Sequence, residues 1–272
     1  MNNTIRIINN RTSLRKFSDQ KISKDHKEVI INSALRAPTA GNLMLYSILK
    51  VENRDTLKIL SETCDNQPFI ASADFALIFL ADYQRLYDYF GYNNYFSYCQ
   101  EQNIQPEFPS LSDLLLCIED AMCAAQNSVI AAESLDIGSC YIGDIIENYE
   151  VHKELFDLEK LTFPIGMLVF GHYPDEAKRI PRSRFNSEYI VFDEKYKRLS
   201  DDELHSMFKH NEKHFNQNNK KGAKNYAQLL YSKKFGSEYA IEMRRSATIA
   251  YEEWLKYGVE HLKEFNNKRN NQ

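Results

Sequence analysis

The chain has 272 residues, 43% of them hydrophobic and 26% charged, with a formal net charge of -4. That length suits one large domain or two small ones, with a substantial buried core. A charge so near balance provides no field to draw the molecule to nucleic acid or to an anionic membrane.

The N-terminus, MNNTIRIINN, lacks the apolar run of a secretory signal. The cysteines at 64, 99, 117, 123 and 140 are odd in number and form no CxxC pair. That spacing predicts neither a disulfide framework nor a zinc site, and free thiols fit a reducing cytoplasm.

The first chemical signal is RTSLRKF, Arg11 to Phe17. In an extended chain Arg11, Ser13 and Arg15 share one side. Two guanidinium forks around a hydroxyl suit a phosphate dianion, and a solvated basic arm is the alternative. Ser23 then reads as a helix N-cap with Asp25 in the first turn, and the helix should stop near Arg36, because Pro38 closes the segment. Pro38 to Asn42 is a turn of small groups. Gly41 permits close approach, and Thr39 and Asn42 carry short hydrogen-bonding side chains. Strands are predicted over 44–51 and 74–81; the second is apolar along nearly its whole length, as a strand covered on both faces should be.

Residues 83–111 are crowded with aromatics in neither a helical nor a strand period, and read as an irregular insertion or lid. A helix over 112–135 is apolar nearly all round, which places it in a large core or between subunits. Asp136, Ile137 and Gly138 read as its stop, and Tyr141, Ile142 and Gly143 as a turn at the edge of the core. A short helix is predicted over 148–155 and a buried strand over 164–171. Lys178, Arg179, Arg182 and Arg184 form a second basic cluster on a proline-stiffened segment. From about residue 200 the tail turns rich in Lys, Asn and Glu, and regains helical patterning over 246–262.

There is no GxGxxG after a strand, no P-loop and no GxSxG elbow. His210 and His214 stand at i, i+4 without the Glu of an HExxH site, so no metal centre is expected. With no nucleophile or acid-base pair in view, no catalytic side chain is named, and the hard chemistry is expected from a cofactor.

The segments RTSLRKF, ALRAPTAGNLMLYSILKV, DNQPFIASADFALIFLAD, DAMCAAQNSVIAAESLDIGSCYIG and AKRIPR, in that order, resemble the nitroreductase family of FMN-dependent oxidoreductases. The resemblance covers about residues 5–200. It implies an α+β fold, a central mixed sheet flanked by helices in an intertwined homodimer, with residues 1–200 as the core and 201–272 as a helical extension of the same domain. It implies FMN at the subunit interface. Arg11, Thr12, Ser13 and Arg15 would hold its ribityl chain and phosphate, with Arg179 and Lys178. Pro38, Thr39 and Asn42 would come from the partner subunit. Gln67 would bond the ring edge or ribityl chain, and Tyr141, Ile142 and Gly143 would lie against one face. The implied reaction is a ping-pong transfer of two electrons from NADPH or NADH to a small aromatic acceptor: a nitroaromatic, a quinone or free flavin. A flavin-binding sensor or store is the alternative. Arg182, Arg184, Arg244 and Arg245 are the candidates for choosing between the two nicotinamides. Two positions depart from the family pattern, Ala177 where a Lys is frequent and Asp144 where a small glycine is common.

Overall fold

The structure is a computed structural model. It describes residues 2–216 and 218–270, with side chains as far as residue 257. Met1–Ile180 with Met243–Gln272 make one compact unit and Pro181–Glu242 another.

In the first unit, α1 (Asn3–Asn10) begins at Asn2, whose side chain accepts the Ile5 N–H at 3.0 Å. Helix α2 (Lys24–Leu35) is capped by Ser23, whose Oγ accepts the His26 N–H at 3.1 Å, and ends at Arg36, as the sequence predicts. Then come β1 (Tyr46–Val51), α3 (Arg54–Thr63), α4 (Phe69–Ser72) and β2 (Phe75–Asp82). The strand expected from residue 44 starts at Tyr46. Met44 adopts a left-handed φ of 52°, and its carbonyl accepts the Tyr46 N–H at 2.7 Å, so a tight turn takes the first two residues.

Residues 83–111 are not an irregular lid. They form α5 (Gln84–Tyr92) and α6 (Tyr95–Glu101), and the stretch from Gln102 to Ser110 lacks regular structure. Asn94, left-handed at φ 53°, makes the corner between the two helices. Aromatics on both faces hid the period: Tyr87 and Tyr95 pack into a cluster with Leu114, Cys117, Leu161 and Trp254, while Tyr89, Tyr92 and Tyr98 face outward.

Helix α7 (Leu111–Ser134) opens on a capping box, Ser110 with Asp113. The segment after it, expected as a turn, is a strand, β3 (Ile137–Ile142), followed by α8 (Tyr149–Leu155) and β4 (Thr162–His172). Gly138 and Ser139 disguised β3, because both are common turn residues. Helices α9 (Asp201–Lys213) and α10 (Tyr226–Lys234) belong to the second unit. Helix α11 (Glu238–Asn270) covers the patterning expected over 246–262, and its residues from Met243 belong to the first unit. There Trp254 is buried and its Nε1 donates to the Ser110 carbonyl at 3.2 Å.

The sheet order is β1-β2-β4-β3, and all three pairings are antiparallel. Its parallel component is a bridge between Ser13 and Ser139. Pro164 is tolerated in β4 because β3 pairs only from Met167 to His172, which leaves the missing N–H on an unpaired edge beside a register shift. One face of the sheet packs on α2 and α7 through Phe75, Leu77, Phe79, Ala121, Ala125 and Val129. The other packs on α3 and α4 through Leu57, Leu60, Ile70, Ile78 and Val169. Helix α7 is long and apolar enough to cross a membrane by length and composition, yet its alanine face is buried in this core. Leu111, Leu115, Leu116 and Met122 on the same helix stay exposed.

Candidate functional site

The Arg11–Phe17 strip lies along the free edge of β3. The Leu14 N–H donates to the Ser139 carbonyl at 2.9 Å, and the Ser18 N–H to the His172 carbonyl at 3.0 Å. The predicted alternation holds, with Leu14 buried and Ser13 and Arg15 exposed. Two glycines make the close approach possible. A Cβ at Gly138 would sit 2.4 Å from Leu14 Cδ2, and one at Gly171 would sit 2.4 Å from Phe17 Cδ1.

The second basic segment reaches a buried carboxylate, Glu133, near the end of α7. The Tyr173 hydroxyl donates to Glu133 Oε1 at 2.8 Å. Arg179 donates to Asp136 at 3.1 Å, lies 3.8 Å from Glu133 Oε2, and stacks its guanidinium 3.8 Å from the Tyr173 ring centre. Burial pushes the Glu133 carboxyl up, while the Tyr173 hydroxyl, Arg179 and Arg11 draw it down. Burial, then the Glu133 charge, lifts the Tyr173 hydroxyl to about 12, and Thr12 hydrogen-bonds the same ring oxygen. Arg11 and Arg179, far apart in the sequence, thus both favour the charged form of one carboxylate. Lys178 is exposed beside them.

Further along β3, burial raises the Cys140 thiol while Arg15, a hydrogen bond from Ser13, and Arg11 lower it. Arg15 also sits 6.0 Å from the centre of the Phe69 ring, at the start of α4. Tyr141 and Ile142 are the last residues of β3, and the Tyr141 hydroxyl donates to Gln126 of α7 at 3.4 Å. Gly143 is exposed, and a Cβ there would meet nothing within 4 Å. Gln67 reaches the same place: its Nε2 donates to the Cys64 carbonyl at 3.0 Å and to Asp144 Oδ2 at 2.9 Å.

The small-residue turn is built by Asp120, a carboxylate only 4% exposed on α7. It accepts from Thr39 Oγ1 at 2.5 Å, the Ala40 N–H at 2.8 Å and the Leu45 N–H at 3.1 Å. Thr39 Oγ1 in turn accepts the Met44 N–H at 2.8 Å. The Thr39 hydroxyl proton is therefore committed to shaping the turn, which presents Pro38, Gly41 and Asn42 outward. Asp120 and Glu133 lie thirteen positions apart on α7, about 20 Å at ~1.5 Å per residue. One chain thus gathers Arg11, Thr12, Ser13, Arg15, Gln67, Tyr141, Ile142, Gly143 and Arg179 around β3, and leaves Pro38, Thr39 and Asn42 well away from the arginine pair. Of the nicotinamide candidates, Arg245 is held in a two-pronged pair with Glu150, at 2.7 and 3.0 Å. Sequence reasoning missed Asp120, Glu133 and Tyr173 as site-building residues. The signal for the first two was an acid on the apolar face of a core helix, where an unpartnered charge is rarely kept.

An antiparallel sheet sandwiched by helices, with arginines and an open glycine along one edge strand, defines an α+β protein whose basic residues gather at the sheet edge. The chain belongs to the nitroreductase family, whose sequence model matches residues 8–172. It is 28% identical over 207 residues to the FMN reductase (NADPH) of Bacillus subtilis, covering 76% of this chain and 80% of that one. It is 29% identical over 206 residues to the NADPH-flavin oxidoreductase of Vibrio harveyi, with the same coverage of 76% and 80%. Among solved structures, nitroreductase A of Vibrio parahaemolyticus superposes with a TM-score of 0.71 at 27% identity, over 88% of this chain and 93% of that one.

Proposed function

We propose that this chain is an FMN-dependent oxidoreductase that takes two electrons from NAD(P)H and delivers them to a nitroaromatic, a quinone or free flavin. The observation that carries the proposal is that the Arg11–Phe17 strip is bonded to β3 at Ser139 while Arg179 lies 3.8 Å from Glu133, at the end of the helix that leads into β3. The names of the two flavin-reducing relatives support the donor and the cofactor.

The residues fit FMN. Arg11, Arg15 and Arg179 supply guanidinium donors of the kind a phosphate takes. Ser13 and Thr12 add hydroxyls, and the Ser139 Oγ is buried without a hydrogen-bond partner beside them. Gly143 leaves room for a flat ring to approach the backbone. Lys178 stands at the rim. When bound, FMN supplies the two-electron chemistry. The chain's part is to bind the phosphate, orient the ring and leave one face open to donor and acceptor in turn. No side chain is proposed as a general acid or base.

The working form is a homodimer in the cytoplasm. The turn at Pro38, Thr39 and Asn42, far from the arginine pair of its own chain, is assigned to the site of a second copy. Exposed Leu111, Leu115, Leu116 and Met122 are the apolar surface such a copy would cover.

The test is the absorption spectrum of the purified protein, followed by rapid mixing with NADPH. A yellow protein containing FMN, bleached by NADPH and recoloured by a quinone, is expected. A protein that binds no FMN would refute the proposal. A protein that binds FMN but is never bleached would instead be a flavin store or sensor.

A further inference from the structure

Gln67 and Asp144 come from different elements, the segment entering α4 and the turn after β3, and meet through a 2.9 Å hydrogen bond. A glutamine side chain has two N–H donors and one carbonyl acceptor. Here both donors face groups that only accept, the Cys64 carbonyl at 3.0 Å and the Asp144 carboxylate. Flipping the amide would set its carbonyl oxygen against two other oxygens. The orientation is therefore fixed by chemistry, and Oε1 is the atom of this amide with which Gln67 can accept a hydrogen bond from a ligand.

We propose that Asp144 is a positioning residue that locks Gln67 as a hydrogen-bond acceptor, so that the site selects a flavin group carrying an N–H or O–H, and that its charge lowers the potential of the bound cofactor. This rests on the FMN reading above. The carboxylate is half-buried one residue from the open Gly143. A negative charge there opposes the added electrons of any cofactor seated on that glycine. The turn itself does not need the carboxylate. Its backbone is held by the Glu147 N–H to the Asp144 carbonyl at 3.0 Å and by His152 Nδ1 on the Ile145 carbonyl at 2.9 Å. Removing the side chain should leave the fold intact.

Two variants separate the lock from the charge. Asp144→Asn keeps an oxygen for Gln67 Nε2 and loses the charge; Asp144→Ala loses both. The FMN dissociation constant, followed by quenching of flavin fluorescence, should stay within about twofold of wild type in Asp144→Asn and rise about five- to tenfold in Asp144→Ala, the worth of one hydrogen bond. The midpoint potential of bound FMN should rise in both variants, by about tenfold in the oxidised-to-reduced ratio, ~30 mV for a two-electron couple. Titration with 3-methyl-FMN, which lacks the ring N–H, identifies the donor. If wild type binds it about five- to tenfold more weakly than FMN and Asp144→Ala does not, the ring N–H is the group. If wild type binds both alike while Asp144→Ala still weakens FMN, it is a ribityl hydroxyl. Equal FMN affinity in wild type and Asp144→Ala overturns the lock, and an unchanged potential in Asp144→Asn overturns the role of the charge. A wild-type protein that binds no FMN overturns the proposed function itself, a result distinct from variants that bind like wild type.

Discussion

Replacing Asp120 tests how the small-residue turn is made. Its carboxylate takes three hydrogen bonds, at 2.5, 2.8 and 3.1 Å, and is 4% exposed. Bonds to a charged acceptor are each worth ~1.5–3 kcal/mol net, and a donor left buried costs more than one that regains water. In Asp120→Ala, Thr39 and Ala40 are half-buried and recover part of their loss from solvent, while the Leu45 N–H belongs to a buried residue and recovers little. Relief of the burial cost of the carboxylate offsets some of the total. The balance is about 3 kcal/mol, which for a chain of this size lowers the melting temperature by about 6–12 °C. Asp120→Asn keeps one oxygen but turns an NH2 toward a donor, and should lose about half as much. The assay is thermal unfolding followed by far-UV circular dichroism, with FMN retention measured on the same samples. The turn should loosen first, so FMN retention should fall at temperatures where the sheet still holds. A melting temperature within about 2 °C of wild type in Asp120→Ala would refute the account.

Arg179→Ala should weaken FMN about 10- to 100-fold, from loss of charge-assisted bonds to the phosphate, while leaving riboflavin binding within about twofold; equal losses for both ligands would remove the phosphate assignment. Gly138→Ala should cost about 3 kcal/mol and release the Arg11 strip, since the new Cβ would lie 2.4 Å from Leu14 Cδ2 and 2.9 Å from the Tyr173 ring; chemical denaturation with FMN titration reads both effects. His152 is fully buried, its Nδ1 donates to Ile145, its Nε2 takes the Thr63 hydroxyl at 2.8 Å, and burial holds its pKa below the usual 6.5. The unfolded chain therefore binds this proton first, so stability is complete above about pH 6.5 and falls as pH drops below it toward the folded value. His152→Gln should flatten that part of the stability-pH curve, and an unaltered slope would count against the assignment.

What the sequence determined by itself is what neighbouring residues decide. Ser23 caps α2 because its own hydroxyl reaches the His26 N–H three residues on. The apolar run of β2 is a strand buried on both faces because no polar side chain interrupts it. Arg11, Ser13 and Arg15 share a side because an extended chain alternates. The tertiary structure alone decided the rest. Gly138 and Ser139 became a strand because β4 offers paired backbone on one edge and the Arg11 strip lies against the other. The aromatics of 84–101 became helices because Leu114, Leu161 and Trp254 supplied a core for one face. Asp120 and Glu133 read alike, as acids on an apolar helix, and acquired separate roles only when Thr39 and Arg179 arrived from distant segments. Periodicity and capping are written within a few residues of each other. Which carboxylate meets which donor depends on segments tens of residues apart, and is fixed only when the core has formed.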